Sequence, residues 1–230
     1  MKTLPNFLLI GPGRTGTTWI TKNLMLHPQI YLPRRKSTRF FLDNYDKGFS
    51  WYESHFRGRK ELAIGEASVG YFAHPNSAIL IQKHMPEIKM IATFRDPVDR
   101  AYSHMGLLRA LAKKGDANLD IDFEEKLRIT PQMIEAGKYA KHLEHYYSLF
   151  PRENILVLFY HEMKEAPHDF LRKIYTFLGV DTSFISPLLS QQINASSTRL
   201  ADSKLKKLLY RVLLRLDLFK LSRRVDSSMK

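Results

Sequence analysis

Short apolar runs alternate with helix-period segments along most of this chain, and that alternation limits its fold more than any other feature. Phe7–Ile10, Leu62–Ile64, Ile88–Phe94 and Ile155–Phe159 read as buried strands. Helical spacing falls near Thr17–Leu26, Asn76–Met85, Pro97–Ala112, Tyr139–Leu149 and His168–Leu178. Strands that alternate with helices are joined by right-handed crossovers, which build a parallel sheet. The expected fold class is therefore α/β, a parallel β-sheet flanked by helices on both faces. With 230 residues, 44% of them hydrophobic, the chain can bury a core of its own. A single domain over 1–230 is expected, with its core at about 6–200. No internal repeat or low-complexity linker interrupts it, and the polar stretch Lys113–Asp122 reads as a loop.

Composition removes several function classes. The sequence has no cysteine, which excludes disulfides, thiolate metal sites and thiol catalysis. No apolar run approaches the ~18 residues of a membrane span. The apolar stretch Phe7–Ile10 is too short for a secretory signal, so the expected location is cytoplasmic. Net charge is +13, which suits anionic partners. Residues 201–230 hold nine Lys and Arg against three Asp. There Leu205, Leu208, Leu209, Val212, Leu213 and Leu216 recur at helical spacing among basic residues, an amphipathic helix at about 202–221. Such a helix docks on its own domain or makes weak contact with a membrane surface.

Two segments carry phosphate-binding chemistry. After the first strand comes Gly11-Pro12-Gly13-Arg14-Thr15-Gly16-Thr17-Thr18-Trp19, followed by a helix. A glycine-rich turn that opens a helix presents backbone N–H groups and a positive dipole to an anion. The Thr15, Thr17 and Thr18 hydroxyls are expected to donate as well. Against the triphosphatase pattern G-x-x-x-x-G-K-[ST], Thr17 stands where the lysine belongs, which argues against ATP or GTP turnover. The second segment, Arg95-Asp96-Pro97-Val98-Asp99-Arg100-Ala101-Tyr102-Ser103, follows a strand end. Asp96 suits an N-cap and Pro97 the first helical position, which leaves Arg95 to grip a phosphate and Ser103 to add a hydroxyl. Arg100 and Ser103 share one helix face. Two anion sites at strand ends imply a ligand phosphorylated at two separate positions.

These motifs resemble those of the sulfotransferases that use 3′-phosphoadenosine-5′-phosphosulfate (PAPS), in particular their bacterial and heparan-sulfate-type branch. Arg14-Thr15-Gly16-Thr17-Thr18 resembles the family's K-x-G-T-T loop, with arginine for lysine, and Arg95 to Ser103 matches R-D-P-x-x-R-x-x-S in full. Gly65-Glu66-Ala67-Ser68-Val69-Gly70-Tyr71, Gly137–Leu143, Phe150-Pro151, Phe177–Gly179 and Asn194–Arg199 continue the resemblance over about 6–200. It implies a P-loop-like three-layer sandwich and sulfuryl transfer from PAPS to a hydroxyl or amine, of a small molecule or a carbohydrate. It also implies no metal and no nucleic-acid partner. The 5′-phosphosulfate would lie on Arg14, Thr15, Gly16, Thr17 and Thr18 with Trp19 near the adenine. Arg95 and Ser103 would hold the 3′-phosphate, and Tyr139 would help to enclose the nucleotide.

Two departures bear on mechanism. Arg14 replaces a lysine, and it is assigned stabilisation of the leaving phosphate. Lys36-Ser37-Thr38-Arg39-Phe40-Phe41 resembles the family's K-E-x-x-F-F segment, but Ser37 occupies the position of the glutamate base. Glu66 at a strand end and Asp43 are the alternative bases, with Glu66 preferred, and Lys36 would support the sulfate or the acceptor. Phe40, Phe41, Trp51 and Tyr52 are candidates for lining an acceptor pocket. The competing functions are a P-loop nucleotide kinase and a non-catalytic binder of 3′-phosphonucleotides or nucleic acid. The sequence leaves the acceptor and the oligomeric state open.

Overall fold

The strand Phe7–Gly11 (β1) is wholly buried and lies at the middle of a five-stranded sheet. The computed structural model describes residues 4–34, 37–112 and 132–191. Lys36, the Lys113–Asp122 stretch, Asn194–Arg199 and the amphipathic segment at 202–221 lie outside the described residues. The other strands are Ile30–Tyr31 (β2), Ala63–Glu66 (β3), Lys89–Phe94 (β4) and Ile155–Phe159 (β5). They stand in the order β2-β3-β1-β4-β5, and every pairing is parallel. Contacts divide the chain into two compact units. Among the described residues the first holds 4–94 with 145–191 and the second 95–112 with 132–144.

The whole sheet belongs to the first unit. β1 reads as an unbroken apolar run because a central parallel strand is covered on both faces. On one face Phe7, Leu9, Ile91 and Leu158 pack with Trp19, Ile20 and Leu24 of the helix Thr17–Leu24 (α1). Phe170, Leu171, Ile174 and Tyr175 of the helix Pro167–Leu178 complete that cluster. Residues of opposite parity face the other way, and there Phe94 meets Phe72, which stacks on Tyr146. The α/β architecture expected from the alternation is the one observed. β3 runs Ala63–Glu66 rather than Leu62–Ile64, because Leu62 is exposed while Gly65 and Glu66 complete the strand. β2 has only two residues and makes no apolar run.

A second apolar cluster in this unit is aromatic. Phe40, Phe41 and Tyr52 are fully buried, and the Phe40 and Tyr52 rings stack 4.4 Å apart at 10°. These rings fill a core; they do not line an acceptor pocket. Phe49 and Trp51 approach Phe40 at 5.0 and 6.3 Å.

In the second unit Asp96 caps the helix Pro97–Ala112. Its Oδ1 accepts the Val98 and Asp99 amides at 2.9 Å each, and its carbonyl accepts the Arg100 amide. The helices Gln132–Glu135 and Tyr139–Tyr147 follow. Among the described residues no helix is long and apolar enough to cross a membrane.

Candidate active site

The first candidate anion site lies where β1 gives way to α1. Gly11 has φ +102°, and a Cβ there would lie 2.3 Å from the Val69 carbonyl oxygen. Gly16 has φ +87°, and a Cβ there would meet the Met163 side chain at 2.8 Å. At Gly11 the clash is with backbone, so only glycine fits there, and at Gly16 the positive φ favours glycine. Arg14, between them, is also in the left-handed region, at φ 74°. No side chain caps α1, and the Ile20 amide makes the first return bond, to the Gly16 carbonyl. The amides ahead of it point out of the helix, together with the positive end of its dipole.

The threonines divide their work. The Thr15 hydroxyl donates to the Pro12 carbonyl at 2.7 Å and lies 2.6 Å from the Thr93 hydroxyl. Its one proton serves Pro12, so Thr93 donates to it, and Thr15 ties the loop to β4. The expectation that its hydroxyl serves an anion is corrected accordingly, and its backbone amide remains for that role. Thr17 is buried and Thr18 half-buried. Trp19 is corrected too: its ring is 6% exposed in the sheet core and meets Phe170 edge to face at 6.3 Å. It packs in the core and offers little surface to an adenine.

The second unit carries the residues expected to form the second anion site. Arg95 precedes the Asp96 cap and is half-buried, while Ser103 and Arg100 are buried on one helix face. The Arg100 guanidinium donates to the Met133 carbonyl. Burial pulls Arg100 below its ordinary pKa, and the Tyr139 phenol opposes that pull. Burial lifts the Tyr139 phenol to about 12, against the Arg100 charge and the Arg95 backbone. Tyr139 thus packs against the turn that carries Arg95. Nearby, His142 faces the Glu135 carbonyl at 2.9 Å and burial lowers its pKa. It is a buried residue. Among the described residues no three His, Asp or Glu side chains gather as a metal would need.

Glu66 lies at the end of β3 with no exposed surface. Its Oε2 accepts the Thr38 amide at 2.9 Å, the Thr38 hydroxyl at 2.5 Å and the Ser68 hydroxyl at 3.0 Å. Its Oε1 accepts the Tyr71 hydroxyl at 2.7 Å and the Tyr52 hydroxyl at 3.1 Å. Burial, followed by the Glu66 charge, pushes both phenols above their ordinary range, so both remain donors. A carboxylate with five donors and no exposed surface cannot touch an acceptor, which corrects the assignment of Glu66 as a base in direct contact. Asp43 is no better placed. The Arg39 guanidinium donates to both its oxygens and lowers its pKa, which weakens it as a base. The sequence did not give the roles that Thr38, Ser68, Tyr52, Tyr71 and Thr93 play here. For Ser68 and Tyr71 the signal was the motif around Glu66; for the others only the fold brings the partners together.

A parallel sheet whose central strand opens through glycines into a helix N-terminus is the architecture of α/β proteins that seat phosphate groups. The sequence profile described as the sulfotransferase domain matches residues 4–209, and the chain belongs to that family. It is 29% identical over 201 residues to the mouse bifunctional heparan sulfate N-deacetylase/N-sulfotransferase 3, covering 79% of this chain and 23% of that protein. The chain thus spans about a quarter of that relative's length. The crystal structure of a sulfotransferase from Alicyclobacillus acidocaldarius superposes with a TM-score of 0.75 at 26% identity, over 93% of this chain and 92% of that one. A mouse sulfotransferase complexed with PAP has the same fold, with a TM-score of 0.52 at 21% identity, over 77% of this chain and 58% of that one.

Proposed function

We propose that this chain transfers a sulfuryl group from PAPS to a hydroxyl or amine acceptor. The observation that carries the reading is the cradle at the start of α1. Its glycines exclude any Cβ, Arg14 lies within it, and Thr17 stands where a triphosphatase needs lysine. This donor set suits a 5′-phosphosulfate, which carries less charge than a triphosphate and needs no lysine reaching a γ-phosphate. Arg14 and the first amides of α1, those of Thr17 and Thr18 among them, hold the 5′-phosphate. They also stabilise the charge that gathers on its bridging oxygen as the S–O bond breaks. Arg95 and Ser103 take the 3′-phosphate, and Tyr139 steadies the turn behind Arg95. Lys36 supports the sulfate or the acceptor. Positioning and fixed charge supply most of the rate in such a transfer, as in phosphoryl transfer.

A carbohydrate acceptor is favoured by the name of the mouse relative, which acts on heparan sulfate. The test is incubation with PAPS and de-N-sulfated heparan, reading the mass gain of the polysaccharide and the bisphosphate formed. The expected result is sulfation matched mole for mole by bisphosphate. Absence of bisphosphate with heparan, simple sugars and phenols alike would overturn the proposal. Sulfation of phenols alone would overturn only the carbohydrate assignment.

A further inference from the structure

Ser37 occupies the position of the family's glutamate base, and the hydrogen bonds around it give its hydroxyl a fixed direction. The Ser68 hydroxyl lies 3.0 Å from Glu66 Oε2. A carboxylate only accepts, so the single Ser68 proton is spent there. The Arg39 amide donates to Ser68 Oγ at 3.2 Å, and Ser37 Oγ lies 2.8 Å from the same atom. Ser37 must therefore be the donor to Ser68, which leaves its own lone pairs to accept from outside. Burial is graded along this line: Ser37 is half-buried, while Ser68 and Glu66 have no exposed surface. The line also meets the phosphate cradle, because Val69, the next residue after Ser68, is the one packed on Gly11.

We propose that Ser37, Ser68 and Glu66 form a proton relay in which Ser37 is the group that meets the acceptor. This rests on the transfer reaction proposed above. As the acceptor oxygen or nitrogen bonds to sulfur, the S–O bond to the 5′-phosphate breaks and that phosphate keeps the electron pair. The acceptor's proton passes to Ser37 Oγ, the Ser37 proton to Ser68 Oγ, and the Ser68 proton to Glu66 Oε2. Once product leaves, the reverse sequence returns the proton to water. An unassisted serine is a poor base, and the relay supplies the missing carboxylate from two residues away. All five groups that donate to Glu66 are uncharged. Ser68 and Glu66 are positioning residues that act through Ser37.

The experiment measures bisphosphate released from PAPS, with de-N-sulfated heparan or water as acceptor, and the affinity for adenosine 3′,5′-bisphosphate. Ser37→Ala and Ser68→Ala should each lower kcat by about 100-fold, the range of general-base catalysis, and leave bisphosphate affinity within about twofold. The double variant should lose no more than either single one. Ser37→Glu should rescue the Ser68→Ala protein, since it brings a carboxylate to the acceptor directly. A structural role for Ser68 would not be rescued. The wild type should show a bowed solvent-isotope proton inventory and Ser37→Glu a linear one. Full turnover in Ser37→Ala, additive losses in the double variant, or no rescue would overturn the relay. Where Ser68→Ala fails to fold, Ser37→Ala and the proton inventories decide. A wild type that binds the bisphosphate but releases none from PAPS removes the relay along with the reaction. A wild type that does not bind it removes the nucleotide site first.

Discussion

Val69 lies so close to Gly11 that a methyl group on Gly11 would sit 2.3 Å from the Val69 carbonyl oxygen. That contact joins the end of β1 to the segment after Glu66, so the phosphate cradle and the Ser37–Ser68 pair share one support. Gly11→Ala is expected to force the two backbones apart and to disfavour the left-handed conformation at this residue. The strain is of the order of 1–3 kcal/mol. The result should be a lower melting temperature and at least tenfold weaker bisphosphate binding, read by calorimetry. Unchanged binding would mean that the cradle tolerates the shift.

Arg95→Ala should act on binding and spare the fold. A hydrogen bond to a charged group is worth about 1.5–3 kcal/mol, so bisphosphate affinity should fall by roughly 10- to 100-fold. Asp96→Ala should do the reverse, because losing an N-cap costs about 1 kcal/mol of stability. Titration calorimetry and thermal melts on the two variants separate the effects. An Arg95→Ala protein with wild-type affinity would refute the second phosphate site.

Glu66→Gln tests the buried hub. The amide can accept at one atom only, and its NH2 would face groups that donate to the carboxylate in the wild type. Stranding two or more of them costs about 2–6 kcal/mol at 1–3 kcal/mol each. A clear fall in melting temperature is expected in the protein without ligand, and an unchanged melt would show that the five hydrogen bonds do not support the fold.

Acid should loosen the segment around His142. Burial lowers its pKa in the folded protein, so the unfolded chain binds the proton more tightly. Stability is therefore full above pH ~6.5, the ordinary histidine value, and is lost as pH falls from there toward the lowered folded pKa. Burial pushes the Glu135 pKa up, but Lys138 and Lys141 pull it down to about 2, and its contribution is lost in a separate, lower window below pH ~4.5. Melts of wild type and His142→Gln between pH 5 and 7.5 should diverge, with the wild type losing more. Parallel curves would show that His142 is solvated in the folded state.

Most of the sheet was legible because central strands β1 and β4 are buried on both faces and write themselves as apolar runs. β2 was not, since two residues make no pattern. The phosphate loop was legible because glycine spacing and helix onset are local. Trp19 misled because a large aromatic beside a phosphate loop carries the same letters whether it faces a ligand or the core. Its contact with Phe170, 151 positions away, is set only by folding. Glu66 misled for a related reason: its strand-end position was correct, but three of its five donors, two on Thr38 and one on Tyr52, come from segments that the sequence does not bring together. Ser37 reads as an isolated replacement until Ser68 is seen beside it.

Thermal unfolding with adenosine 3′,5′-bisphosphate, ATP or neither tests the central claim most directly. A ligand at ~100 times its Kd stabilises by about 2.7 kcal/mol, enough to shift the midpoint visibly. The account predicts a shift with the bisphosphate and none with ATP. A shift with ATP alone would contradict it and turn the cradle into a triphosphate site that works without its lysine.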